Sequence, residues 1–249
     1  MANFVNSKIK QRMRTIVWFS CGACSTVALK LAIDKDKDVI PVYCDTGGEH
    51  IDNKRFLADV EKWLNVKVII LKNEKYKDHF DVFEKTKFLI SPQGARCTVE
   101  LKKKLRFKFQ EPDDIQIFGY SFDEQHRAKR LNESFPEIIT EYPLIDNKIT
   151  KQQAIGYLWK RGIKLPKMYE LGYNNNNCIG CVKGGKGYWN KIRKDFPEHF
   201  DRMSKIEREL NIRIHDKFLD EMNENEGNHK NEQITCDFVC QSMFISTAR

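Results

Sequence analysis

The feature that most constrains this chain is an alternation, through its first two thirds, of short β-rich runs with helical patterns. Ile16-Val17-Trp18-Phe19 is a strand-like run, and Thr26 to Ile33 reads as the helix after it. Val39 to Tyr43 is a second strand. Phe56, Val60, Trp63 and Leu64 then recur at the spacing of one buried helix face. Val66 to Leu71 is a third strand, Glu100 to Phe109 a basic helix, and Ile115 to Tyr120 a fourth strand. Glu124 to Asn132 is helical, and Ile138 to Leu144 is a weaker fifth strand. Strands separated by helices pair in parallel and are covered on both faces. The expected fold is therefore α/β: a doubly wound, mostly parallel five-stranded sheet. In such a sheet ligands bind at the carboxyl ends of the strands near the switch point, which singles out the loops after Phe19, Tyr43 and Tyr120.

Beyond residue 147 the pattern changes. Lys151 to Arg161 is a short helix, Asn174 to Asn177 a loop, Tyr188 to Asn211 one helix, and Asn223 to Glu232 a polar, mobile stretch. The expected division is an α/β sheet domain over residues 1–147 and a helical, metal- or cluster-binding, cysteine-bearing C-terminal appendage over residues 148–249. Of 249 residues 41% are hydrophobic, too many for a disordered polymer. No apolar run approaches the ~20 residues that span a bilayer, and the run after the basic amino terminus is broken by Ser20 and Gly22, unlike a signal peptide. The expected location is a cytoplasm. There, eight cysteines point to metal, cluster or catalytic roles rather than disulfides. The net charge of +8 suits an anionic partner, nucleotide or nucleic acid.

Four clusters carry chemistry. Ser20-Cys21-Gly22-Ala23-Cys24-Ser25 is a small-residue turn entering a helix, where loose amides and the helix dipole favour phosphate; a plain tight turn is the alternative. Cys44-Asp45-Thr46-Gly47 closes strand two, where Asp45 suits a metal, a ribose or an adenine amine, or else a helix cap. Gly119 to Arg127 follows strand four. Arg127 suits a phosphate or sulfate, or else a solvated helix face. Cys178-Ile179-Gly180-Cys181 has the spacing of a metal knuckle, and Cys236 and Cys240 can complete a four-thiolate site for zinc or a four-iron cluster. Cys97, Cys21 and Cys24 compete as ligands, though Cys21 and Cys24 also read as small buried hydrophobes. Two basic runs, Lys102 to Lys108 and Lys183 to Lys194, are solvated faces or nucleic-acid contacts. In the second, Tyr188 and Trp189 are candidates for stacking on bases.

In this order the motifs resemble the phosphoadenosine phosphosulfate reductase family, within the PP-loop adenine-nucleotide α-hydrolases. Ser20, Gly22 and Ser25 match the Ser-Gly-Gly-x-Asp-Ser loop, with Cys21 in place of a glycine and Cys24 in place of the aspartate. Asp45-Thr46-Gly47 is similar to the second motif, and Gly119 to Arg127 to the Gly-x-x-x-x-Glu-x-x-Arg segment. Arg96-Cys97-Thr98 with Leu101-Lys102, and Cys178 to Gly185 with Tyr188 to Ile192, are similar to phage and mobile-element members. The resemblance implies an enzyme that cleaves ATP to AMP and pyrophosphate to activate an acceptor, with sulfur transfer following. It implies a nucleotide set made of the Ser20–Ser25 loop with Asp45, Thr46, Gly47 and Gly119. The catalytic candidates are Asp45, Glu124, Arg127 and Cys97, and the metal ligands are Cys178, Cys181, Cys236 and Cys240. Cofactors implied are ATP or a related adenine nucleotide, Mg2+, and a 4Fe-4S cluster or Zn2+. Partners implied are a nucleic-acid or small-molecule acceptor, no membrane, and a second copy in a homodimer. The tail lacks the Glu-Cys-Gly-x-x-His-like ending of sulfate-assimilation reductases. Adenylyl sulfate reduction and a zinc-stapled nucleic-acid-binding module stand as the alternatives.

Overall fold

The computed structural model describes residues 13–35, 38–91, 94–231, 234 and 236. Its strands are β1 (Thr15–Trp18), β2 (Val39–Asp45), β3 (Ile69–Lys72), β4 (Ile90–Ser91), β5 (Gly94–Ala95), β6 (Ile115–Phe118) and β7 (Ile139–Glu141). Helices α1 (Ala23–Lys35), α2 (Asn53–Leu64), α3 (His79–Thr86) and α4 (Arg96–Thr98) precede a π-helical turn, Val99–Lys103, which runs into α5 (Lys104–Phe109). Then come α6 (Gln125–Ser134), α7 (Pro143–Asp146), α8 (Lys151–Trp159), α9 (Lys167–Glu170), α10 (Lys186–Asp195) and α11 (Pro197–Leu210).

The fold is α/β, with a five-stranded parallel sheet in the order β3-β2-β1-β6-β7. Strand β1 is central and wholly buried, which its unbroken apolar run requires of a parallel strand. Because successive strand residues face opposite sides, Val17 and Phe19 pack with Val27, Leu29, Phe56 and Leu158 on one face. Ile16 and Trp18 pack with Val42, Phe118 and Leu131 on the other. From β1 the chain moves outward through β2 to β3, then returns to place β6 and β7 on the opposite side. The carboxyl ends of β1 and β6 therefore form the switch point where such sheets open a crevice.

A third apolar cluster surrounds the fully buried Trp189 and joins Phe80, Phe83 and Leu89 to Ile192, Phe200 and Met203. Residues on both sides of 147 thus share this cluster, just as Ala154 and Leu158 share the sheet's.

Three local expectations are corrected. The helix read over 188–211 is two helices. Phe196 leaves the helical region at φ −142° and ψ 64°, because the ring of Pro197 disfavours a helical residue before it and its own nitrogen carries no proton. Helix α3 and the β4–β5 pair stand where no regular element was expected. The polar stretch from Asn223 is held through Glu226: Asn190 Nδ2 donates to the carbonyls of Asn223 and Glu226, each at 2.8 Å, and Lys186 and Lys217 bind the Glu226 carboxylate. Among the described residues no helix is long and apolar enough to cross a membrane.

Candidate functional site

The turn between β1 and α1 is built from its own small side chains. Cys21 sits at φ +54°, the left-handed region that favours glycine, and its side chain is buried in the core. Ser25 Oγ accepts from Ser20 N at 3.1 Å and donates to Gly22 O at 3.0 Å, while Thr26 Oγ1 also donates to Gly22 O. These bonds fix the loop at the start of a thirteen-residue helix, whose dipole attracts an anion, with Ser20 N and Gly22 N donating to Ser25 Oγ and Ala23 N to the Tyr169 hydroxyl. Gly119, at the end of β6, lies directly against it: a Cβ there would fall 2.5 Å from Ser25 Cα and 2.6 Å from Ser25 N.

A cleft opens between this loop and the segment after β6. Ser20, Gly22, Cys24, Ser25 and Gly119 line it, with Glu124 and Arg127. Ser121 N and Oγ both donate to Glu124 Oε2, while the other Glu124 oxygen pairs with Arg127, whose guanidinium lies over the Tyr120 ring at 4.3 Å. Arg106 and Lys151 also line the cleft. The Arg106 guanidinium lies 5.0 Å from the Trp18 ring, and Lys151 Nζ donates to Asn175 Oδ1 at 2.5 Å. Three cations against one carboxylate make the described lining suited to an anionic ligand. Burial pushes the Cys24 thiol up to about 12, with Glu124 adding to the shift, so at neutral pH it stays protonated and is a poor nucleophile.

Cys21 and Ala23 belong to the same loop but point into the core. Asp45, Thr46 and Gly47 are not among the described residues lining the cleft. Asp45 Oδ1 accepts from Gly47 N at 2.9 Å, and Thr46 Oγ1 lies 3.2 Å from Cys178 Sγ. The β2 loop therefore reaches toward a second, smaller cavity.

That cavity is lined by Cys97, Cys178, Cys181 and Cys236, together with His79 and Lys102. The Cys178–Cys181 knuckle is shaped by Tyr188, whose hydroxyl accepts from Gly180 N and Cys181 N and donates to Cys178 O, each at 3.0 Å. Gly180 at φ +74° turns the chain there. Thr98 Oγ1 lies 3.6 Å from Cys236 Sγ. The π-helical turn after Thr98 carries Lys102 to the same cavity. Burial depresses its ammonium, while Cys236, Glu49 and Cys178, in their ionised forms, would raise it above the usual lysine range. Among the described residues no three His, Cys, Asp or Glu side chains converge as metal ligands do; the four thiols line the cavity walls. Cys97 thus joins three of the four expected ligands, and Cys240 lies outside the described residues.

Residues 14–186 match the model of the phosphoadenosine phosphosulfate reductase domain. The chain belongs to that family. A Methanocaldococcus jannaschii protein named only as uncharacterized is 28% identical to it over 218 residues, covering 82% of this chain and 43% of that protein. The chain therefore spans less than half the length of this curated relative. Among solved structures, the phosphoadenylyl-sulfate reductase of Candida auris, in complex with phosphate, is similar at a TM-score of 0.48 and 14% identity, covering 66% of this chain and 80% of that one. The U34-tRNA thiolase NcsA of Methanococcus maripaludis, with its [4Fe-4S] cluster, is similar at 0.44 and 13%, covering 80% and 72%.

Within this member of the phosphoadenosine phosphosulfate reductase domain family, several lining residues escaped the sequence reading. Arg106 was hidden in a basic run read as a solvated face, yet it is buried. Lys151 and the asparagines 175–177 were read only as helix and loop, although four successive amide side chains are a signal of dense hydrogen bonding, and Tyr169 was given no role. Tyr188 and Trp189 are buried in the core, so they do not present faces to nucleic-acid bases.

Proposed function

We propose that the chain binds an adenine nucleotide in the cleft, cleaves ATP between its α- and β-phosphates to adenylylate an acceptor, and delivers sulfur to that acceptor from the cysteine cavity. The observation that carries this reading is that Asn177 and Cys236 line both cavities, so a thiol of the second forms a portion of the wall of the first. In this scheme the turn of Ser20, Gly22 and Ser25 holds phosphate by exchanging the bonds that Ser20 N, Ser20 Oγ and Gly22 N make to Ser25 Oγ for bonds to the ligand. Arg127, steadied by Glu124, and Lys151 take the remaining negative charge. The acceptor oxygen attacks the α-phosphorus and pyrophosphate leaves; hydrosulfide from a sulfide donor, taken up in the cysteine cavity, then attacks the activated carbon and loses its proton as AMP departs. The acceptor is a nucleic-acid base or a small molecule.

Thiols suit iron–sulfur or zinc alike, and Cys97, Cys178, Cys181 and Cys236 would hold either once turned inward. A four-iron cluster supplies redox capacity, and zinc supplies a structural staple. Mg2+ fits the described lining less well, since its carboxylate, Glu124, is engaged by Arg127 and Ser121. We assign the phosphate loop to a domain spanning residues 1–147 and the later cysteines to residues 148–249, with Cys97 and Lys151 each contributing across that line.

Labelled ATP with candidate acceptors should yield AMP and pyrophosphate. Absence of both products, with no nucleotide binding by calorimetry, sinks the proposal. A thiol on the cleft wall also favours a second reading, reduction of an adenylyl sulfate. Cys236 would attack sulfur, releasing AMP and leaving a cysteine S-sulfonate, from which a thiol reductant frees sulfite. Sulfite release abolished in Cys236→Ser supports it; release retained in that variant counts against Cys236.

A further inference from the structure

The run Asn174 to Asn177 ties three regions of the chain together. Asn176 Nδ2 donates to Cys21 O in the phosphate loop at 2.7 Å and to Asn53 Oδ1 at 2.9 Å. Asn175 Oδ1 accepts from Lys151 Nζ, one of the three cleft cations. The two amides flanking Asn176 then converge on one backbone oxygen: Asn175 Nδ2 and Asn177 Nδ2 donate to Ile234 O at 3.1 and 2.9 Å. Ile234 is itself 9% exposed and lines the cleft. Cys236 is two residues further on, so its reach from this anchor is at most about 7 Å.

We infer that Asn175 and Asn177 are positioning residues that clamp the Ile234 carbonyl and thereby hold Cys236 in the wall between the two cavities. The inference rests on the proposed role of that wall. Asparagine suits the task chemically: one short side chain can accept from a lysine and donate to a carbonyl at once, as Asn175 does. Aspartate has the same shape and keeps the bond from Lys151, but it has no proton to donate and repels the carbonyl. Glutamine carries its amide one methylene too far. Through the clamp the thiol is registered to the phosphate loop, because the neighbouring Asn176 is bonded to Cys21 O.

The test uses the full chain with Asn175→Asp, Asn177→Asp and the double substitution. Iodoacetamide alkylation is followed at each cysteine by peptide mass spectrometry. In the double variant Cys236 should alkylate on the order of tenfold faster, the effect of losing two hydrogen bonds from a locally opening segment. Cys24 in the same cleft and Cys97 in the other cavity should stay within about twofold of wild type. In Asn177→Asp, ATP binding should weaken because the new carboxylate lines the anion cleft, and thiol-dependent turnover at saturating ATP should fall as well. Cys236 alkylating at the wild-type rate in all three variants overturns the clamp. A rise shared equally by Cys24 and Cys97 also overturns it, since the asparagines would then serve the fold as a whole. If the double variant unfolds, the single variants are read by the same criteria. A wild-type chain that binds no nucleotide strikes the proposed function alone, because the alkylation measurement needs none.

Discussion

Two residues at the mouth of α1 show how far backbone geometry decides the site. Cys21 occupies a left-handed position at φ +54°, where an L side chain costs on the order of 1 kcal/mol, and its burial in the core offsets that strain. The family resemblance marked this position as unusual, and the backbone angle explains why glycine stands there in the family loop. Gly119 has no such latitude. An added Cβ meets the backbone of Ser25 rather than a flexible side chain, so either β6 or α1 must move. Gly119→Ala is expected to cost roughly 2–3 kcal/mol, as over-packing does. If the turn is the phosphate site proposed above, the substitution should also weaken nucleotide binding by about tenfold or more, because the displaced backbone is that turn's own. Urea denaturation and calorimetry measure the two effects. Unchanged affinity would separate Gly119 from the site.

The elements legible in the sequence were those whose pattern is set locally. β1, β2 and β6 are short runs bounded by turns, and α2 carries its apolar residues on one face, so the parallel sheet could be read from their alternation. Helix α3 was not legible because it is only eight residues long and its first five, His79 to Phe83, are all buried with polar His79 and Asp81 set among the apolar ones, which blurs the pattern of one apolar face. Its one local signal was Asp78, whose carboxylate accepts from Asp81 N at 2.7 Å as an N-cap. The cysteine cavity was half legible. The Cys178–Cys181 spacing is local, but its meeting with Cys97 and Cys236 is made by tertiary packing, which no spacing encodes. Helix α3 ends on Lys87, an exposed residue in the left-handed region at φ +54°, whose N–H donates to Phe83 O. Glycine adopts that conformation without a Cβ penalty. Lys87→Gly should therefore raise stability by about 0.5–1 kcal/mol, the left-handed strain less the added chain entropy. A thermal melt that drops instead would show that the lysine side chain contributes something the cap does not.

At the scale of the whole molecule, the cleft occupies one end of the central strands and an ion pair secures the other. Arg14, just before β1, donates from Nε and Nη2 to the two Asp114 oxygens at 2.7 Å each, and Glu111 N donates to Asp114 at 2.6 Å. Asp114 immediately precedes β6, so this bidentate pair locks two strands whose partners are a hundred residues apart in sequence. Burial pushes the Asp114 carboxyl up, but Arg14 and the Glu111 amide outweigh it and hold it below the usual carboxylate range. The native state therefore favours the ionised form more than the unfolded chain does. The resulting stability is present in full above the unfolded value of about 3.9, and it is lost as pH falls through the lower folded value. Asp114→Asn keeps the shape and removes the charge. It should cost about 1.5–3 kcal/mol at neutral pH, and the gap to wild type should close progressively as the pH drops below about 4. Because the pair lies at the amino ends of the strands and the proposed nucleotide cleft at their carboxyl ends, nucleotide affinity at neutral pH should stay within about twofold. Urea titrations from pH 7 downward, with calorimetry at pH 7, check both arms. A gap that does not vary with pH would mean that the lost acceptor oxygen matters and the charge does not, and a large loss of affinity would mean that the two ends of the sheet are coupled.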